Sequence, residues 1–173
     1  MGVGVRDKAE HGQPEFRDFA AARTGQLFRI AYLMCCDWHE AEDLVQITLA
    51  KLYVAWHRVA RSQSADAYAR KVLVNTYLSQ RRLRRSGEMP VADIAEVCGP
   101  TADHDLRIAL VAALRQLPPR SRAVVVLRHL EDHSIESVAR LLSISPAVVK
   151  SLNTRGLARL REELSADQSL FLS

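Results

Sequence analysis

The stretch Ser145-Pro146-Ala147-Val148-Val149-Lys150-Ser151-Leu152-Asn153-Thr154-Arg155 sets small, hydroxyl and cationic side chains along one side of a helix. Ala147, Lys150, Ser151, Thr154 and Arg155 recur at three- and four-residue spacing and so share a face. Small residues allow close approach to a duplex. Ser and Thr hydroxyls bond phosphates or bases, while Lys and Arg neutralise phosphate or read guanine. A second cationic group consists of Lys71, Arg81, Arg82, Arg84 and Arg85. Asn75, in the same segment, offers both a donor and an acceptor to a base edge. Asp43 and Gln46 lie three apart on a third segment and share a helix face, flanked by Leu44 and Lys51. No Ser/His/Asp order, phosphate-cradling glycine loop or paired-carboxylate arrangement accompanies them, so the chain reads as a binder and not an enzyme, with no small-molecule substrate. Cys35-Cys36-x-x-His39 offers three ligands where zinc takes about four, and the two cysteines point to different sides of a helix. They read as small buried hydrophobes, and no metal or cofactor is expected.

Helices must carry these residues. The chain has 173 residues, 48% hydrophobic and 25% charged, with 7 Gly and 6 Pro, which is a globular balance and excludes fibrous and low-complexity classes. Ala, Leu and Arg are abundant and strand formers sparse, so an all-α fold is predicted. Net charge is only +4, with 24 Lys+Arg against 20 Asp+Glu; its placement matters more than its size. The longest apolar run, Ile30 to Cys36, is far short of the ~20 residues that cross a bilayer, so no membrane association is expected. The N-terminal residues lack an apolar core of signal-peptide length, and three cysteines do not make a disulfide scaffold; both point to the cytoplasm.

Periodicity divides the chain into two small helical domains. Residues 1–14 are polar and read as a loose tail. Helices follow over Glu15 to about Cys36, Glu40 to Trp56 and Ala65 to Arg85, the last two separated by the loop Arg58 to Ser64. Residues 15–85 form the first lobe. Ser86 to Asp105 holds two Pro, two Gly, five acidic residues and no Lys or Arg, the composition of a flexible acidic linker. The second lobe, 106–164, opens with Leu106 to Leu117, which Pro118-Pro119 stops. Pro119 then starts a helix through Leu130. Ser134 caps Ile135 to Leu142, and Ser145-Pro146 opens a helix to about Leu164, leaving 165–173 as a C-terminal tail.

Two helices joined by the turn Ser143-Ile144-Ser145 make a helix-turn-helix. Val138 and Leu141/Leu142 should pack on Val148/Val149 and Leu152. The alternative for this segment alone is an αα-hairpin with a solvated face. At the level of the chain, the alternatives are a stand-alone helix-turn-helix regulator and a pure interaction module.

The string LPPRSRAVVVLRHLEDHSIESVARLLSISPAVVKSLNTRGLARLREEL resembles region 4 of bacterial sigma factors, and most of all the extracytoplasmic-function, or group IV, class. Leu117, Pro118, Arg122, Leu127, Arg128, Ser134, Glu136, Ala139, Leu142, Val149, Lys150, Ser151 and Arg155 are among the matches. In the first lobe, Glu42-Asp43-Leu44-Val45-Gln46 resembles the region 2 string that docks on the polymerase clamp. AYARKVLVNTYLSQRRLRR (67–85) resembles the strand-opening segment, with Asn75 matching its Asn. The sequence departs from the pattern at Ile47, where an acid usually stands, at Ser79, at Ser143 and Ala147 around the turn, and at Asn153, usually apolar.

The resemblance implies a factor that gives core RNA polymerase its promoter specificity and drives promoter melting. It implies that Asp43, Leu44, Gln46, Ile47 and Lys51 meet the clamp helices of the β′ subunit. Arg58, Arg61, Ser62, Lys71, Asn75, Tyr77, Arg81 and Arg82 would line the minus 10 element, the loop holding one base flipped out of the stack. Ser145, Pro146, Ala147, Lys150, Ser151, Thr154 and Arg155 would meet the minus 35 element, with the second lobe resting near the β flap. It also makes an anti-sigma partner an expectation. Tyr68 is expected in the core.

Overall fold

A computed structural model describes the backbone of residues 6–62, 64–86 and 102–171, and side chains over 15–62, 64–86 and 106–165. Most of the acidic linker, including Cys98, and the chain's last two residues lie outside the described residues. Among the described residues there are seven α-helices and one π-helical turn, and no strand. The first lobe comprises α1 (Arg6–Cys35), α2 (Trp38–Val59) and α3 (Ala65–Arg85). The second comprises α4 (Ala102–Arg115), α5 (Pro119–Val125), the π-turn Val126–Leu130, α6 (Ile135–Leu142) and α7 (Pro146–Phe171).

Local chemistry sets most helix starts. Asp37, in extended backbone, accepts the Glu40 N–H at 2.8 Å and caps α2. Ser64 accepts from the Ala67 N–H at 3.1 Å before α3, and Ser134 from the Ser137 N–H at 3.1 Å before α6. Each satisfies one of the donors that a helix start leaves open. Several boundaries differ from expectation. α2 runs to Val59, so the first two residues of the expected loop, Arg58 and Val59, are helical. α1 runs back to Arg6 through Pro14, although proline removes one helical N–H, which is why the sequence suggests a tail there. α4 begins at Ala102, inside the expected linker. α7 continues to Phe171, because nothing after Leu164 breaks a helix even though the apolar seam has ended.

In the first lobe Leu27, Ile30, Met34, Leu44, Leu52, Leu73, Val74 and Tyr77 are at most 3% exposed. In the second, Leu114, Leu117, Val124, Leu127, Val138 and Val149 are equally buried. Val148, expected beside Val149, is 42% exposed, since consecutive helix positions point about 100° apart and only Val149 faces α6. Gly156 lies where α7 crosses α5. A Cβ there would meet Val125 Cγ2 at 2.7 Å and the Ser121 carbonyl oxygen at 3.5 Å. Gly156→Ala is therefore expected to lower stability by about 1–2 kcal/mol despite alanine's better helix propensity, read by urea unfolding. A more stable variant would show that the crossing has slack.

The two lobes share one continuous apolar core. Their junction is the C-terminal end of α1, where three successive carbonyls each receive an arginine. Arg122 donates to the Met34 oxygen at 2.7 Å, Arg81 to that of Cys35 at 3.2 Å and Arg115 to that of Cys36 at 2.5 Å. Cations suit this end because the helix dipole and its unpaired carbonyls are negative there. Cys36 itself closes α1 in left-handed backbone, φ 57°, a place glycine usually takes. Arg122 is 6% exposed and also donates to the Arg115 and Leu117 oxygens at 2.8 and 3.0 Å, so it closes α4 as well. Burial pushes the Cys35 thiol up to about 12 and raises that of Cys36; both stay protonated and unreactive.

Candidate nucleic-acid and polymerase interface

The helix-turn-helix is built as its caps suggest. Ser143, φ 52°, ends α6 in left-handed backbone, a conformation it adopts where glycine is commoner. Ser145 accepts the Val148 N–H at 3.3 Å, and Pro146 starts α7. Ser145, Pro146, Ala147, Lys150, Ser151, Thr154 and Arg155 are all exposed, with Val149 buried behind them. Arg155 is held along the helix: its Nη2 donates to Ser151 Oγ at 3.1 Å and its Nε to the Ser151 carbonyl at 3.4 Å. A guanidinium fixed in this way loses less side-chain freedom when it meets a base or phosphate. Asn153, the polar departure from the family pattern, is half-buried with its Oδ1 2.9 Å from His129 Nε2. That contact satisfies a group that would otherwise be costly to bury.

On α2, Asp43, Gln46 and Ile47 are exposed and line one cleft of about 190 Å³ together with Glu40, Gln80 and Arg84. Lys51 lies farther along the helix and donates to Thr76 Oγ1 at 2.9 Å, tying α2 to α3. Leu44 does not belong to this surface. It is 0% exposed because it falls on the opposite stripe with Val45, Thr48 and Leu52. Glu40, the acid in the cleft, is clamped by Arg81 and Arg84 of α3.

On α3, Lys71, Asn75 and Arg82 are exposed, and their four- and seven-residue steps place them on one stripe. Tyr68, three residues before Lys71, is 38% exposed at the head of that stripe, not in the core. Tyr77 is the buried tyrosine, 1% exposed, so in this arrangement it is no stacking platform. Burial lifts its phenol to about 12. The pattern explains the exchange: Ala69, Leu73 and Tyr77 step by four along the seam packed on α1 and α2. Arg81 continues the same seam. It is taken up by Glu40 and the Cys35 carbonyl and lies over the Tyr77 ring, 5.4 Å from its centroid, so it does not face outward for DNA. Arg58 stands in the last turn of α2 and is exposed, as are Arg61 and Ser62 in the short loop after it. Ser62 Oγ donates back to the Val59 carbonyl at 2.7 Å.

Among the described residues no cluster of three or more His, Cys, Asp and Glu side chains is arranged to hold a metal, and no helix is long and apolar enough to cross a membrane.

Comparison with known proteins gives the family. The family "Sigma-70 region 2" matches residues 20–87 and "Sigma-70, region 4" matches residues 107–160. The RNA polymerase sigma-E factors of Streptomyces avermitilis and Streptomyces coelicolor are each 40% identical, over 90% and 88% of this chain and 89% and 87% of their own. The ECF RNA polymerase sigma factor SigM of Mycobacterium tuberculosis is 33% identical over 78% of this chain and 69% of its own. Among solved structures, the sigma factor RpoE in complex with the anti-sigma factor NepR from Bartonella quintana superposes with a TM-score of 0.70 at 25% identity, covering 88% of this chain and 98% of that one. CnrH in complex with the cytosolic domain of CnrY gives 0.66 at 22% identity, over 94% and 95%, and supports the fold. Two family matches in order, on either side of the acidic linker, with relatives aligned over most of their length, place the chain in the extracytoplasmic-function class of the sigma-70 family of RNA polymerase sigma factors.

Proposed function

We propose that the three exposed surfaces divide the work of a sigma factor. The observation that carries this reading is that the α2 and α3 surfaces lie within the region 2 match and the α7 surface within the region 4 match, and that the residues named on them are exposed. The cleft bearing Asp43, Gln46 and Ile47 docks on the β′ clamp helices, with Lys51 at its margin. Its lining suits the reading: beside Glu40, Gln80 and Arg84, the concavity presents the Asp43 carboxylate, the Gln46 amide and the aliphatic Ile47, 37% exposed. The stripe Tyr68, Lys71, Asn75 and Arg82, with Arg58, Arg61 and Ser62 in and beside the loop, meets the minus 10 strands. Lys71 and Arg82 neutralise phosphate, Asn75 pairs a base edge and Tyr68 offers a ring for stacking. The face of α7 enters the major groove at the minus 35 element, with the second lobe near the β flap.

Melting then needs no chemistry from this chain. Bases and phosphates released from the duplex are better satisfied on the combined surface of protein and polymerase than unstacked in water, which offsets the few kcal/mol of unpairing. With a net charge of only +4, phosphate neutralisation by the chain alone is weak, and core polymerase supplies the rest. The likeness to a sigma factor crystallised with its anti-sigma factor supports an anti-sigma partner here too.

Asp43→Ala and Gln46→Ala should each weaken core binding by about tenfold, equivalent to ~1.4 kcal/mol, with helicity unchanged, since both side chains are exposed. Unaltered affinity in a core pull-down would overturn the clamp assignment.

A further inference from the structure

Asn153 stands on α7 where the family pattern is usually apolar, and its amide is bonded at one end only. Its Oδ1 lies 2.9 Å from His129 Nε2. A carbonyl oxygen only accepts, so His129 carries a proton on Nε2 and donates it. Nδ2, the other end of the amide, has no partner among the described residues and is not closed off from solvent. His129 is itself exposed, in the π-turn Val126–Leu130 that continues α5 where α5 packs on α7. A π-turn shifts the residues it carries off the regular helical path, and such turns recur at functional sites. An exposed hydrogen bond of this kind adds little to stability, and an apolar side chain would fill the half-buried place with no polar group to satisfy. The pair has a use besides packing.

The place of Asn153 on the helix supplies that use. Pro146, Lys150 and Asn153 follow one another at four- and three-residue spacing, so they form a stripe along one flank of α7. Pro146 and Lys150 are exposed and belong to the face assigned to the minus 35 element. Asn153 lies about 60° round the helix from Lys150, on the side toward the π-turn. A helix with its side chains is about 10–12 Å across and the major groove about 12 Å wide, so a seated helix fills the groove. Residues at the centre of its face then meet base edges, and residues on its flanks meet the sugar–phosphate walls. We propose that Asn153 is a phosphate contact of the minus 35 duplex, its Nδ2 donating to a backbone oxygen of one groove wall, and that His129 is its positioning residue, holding Oδ1 so that the amide stays turned outward. The contact carries neither charge nor base information; it fixes the register and orientation of α7. Both roles rest on the placement of α7 in the major groove, and they bring the π-turn into the DNA-binding apparatus.

Single methylphosphonate substitutions, each removing the charge and one acceptor oxygen of one phosphate, test this when walked along both strands of the minus 35 element of a promoter that the protein uses. Full-length variants are bound to core polymerase, and the affinity of each holoenzyme for each fragment is measured. Asn153→Leu supplies the usual apolar residue, so it should melt no lower than the wild type yet bind the unmodified promoter about three- to tenfold more weakly. Asn153→Ala, which removes the amide without adding bulk, is the second variant and should behave alike. At one phosphate the wild type should lose affinity on substitution while both Asn153 variants lose no more, the mark of a contact already absent. His129→Ala should become insensitive at the same phosphate, and His129→Gln, whose amide can still donate to Oδ1, should regain the wild-type loss. Asn153 variants that stay sensitive at every phosphate that matters to the wild type would overturn the contact. A wild-type pattern in His129→Ala would overturn the positioning role. Lys150→Ala separates these outcomes from a failure of the groove placement, since it should abolish sensitivity at a phosphate of its own. A change for Lys150→Ala alone would overturn only the roles of His129 and Asn153; no change for either residue would overturn the placement of α7 as well.

Discussion

Arg122→Ala should melt about 10 °C below the wild type, from a loss of about 3–4 kcal/mol. The side chain is 6% exposed and donates to three carbonyls, those of Met34, Arg115 and Leu117. Truncation leaves these acceptors buried without a donor, at ~1–3 kcal/mol apiece before relaxation, and opens a void between α1, α4 and α5. For a domain whose whole stability is ~5–15 kcal/mol, that is a large share. Arg122→Lys should recover only part of it, because an ammonium is a point donor and cannot reach carbonyls on two helices as a planar fork does. An alanine variant melting within about 2 °C of the wild type would show that Arg122 does not hold α1, α4 and α5 together.

Arg155→Ala should cut transcription about 10- to 100-fold on promoters that depend on the upstream element, and little on promoters that do not. This follows from ~1–3 kcal/mol for a guanidinium that reads a base edge. Ser151 already aligns the side chain, so the loss is one of contact more than of order. Lys150→Ala should act differently: a uniform weakening across sequences, with the salt slope of binding reduced by about one. Equal losses for Arg155→Ala on promoters with and without the upstream element would contradict the placement of α7.

Much of this architecture is legible in the sequence because it is locally encoded. Ser134, Ser145 and Pro146 act on groups within three residues, so the helix-turn-helix can be bounded without knowing what surrounds it. The outward face of α7 from Ser145 to Arg155 follows from spacing, since every residue expected on it is exposed. Errors arise where a distant partner decides. Arg81 looks like one more cation in a basic run until Glu40, 41 residues away, takes it up. Arg122 matches a family position, but its role depends on a carbonyl 88 residues distant. Leu44 sits inside a motif that reads as a docking surface, yet it belongs to the buried stripe of the same helix. The exchange of Tyr68 for Tyr77 is different, since the four-residue seam Ala69, Leu73, Tyr77 was present to be read. Asn153 could not be resolved from sequence at all, because its partner His129 comes from the π-turn, an irregularity that periodicity does not announce.

As a sigma factor, this chain confers promoter choice on core polymerase. Run-off transcription from a pool of genomic promoter fragments, with purified core and with or without the protein, tests it directly. Start sites that appear only with the protein and share two spaced elements upstream are the expected result. Transcripts identical with and without it, beside tight binding of duplex DNA in the absence of core, would contradict it.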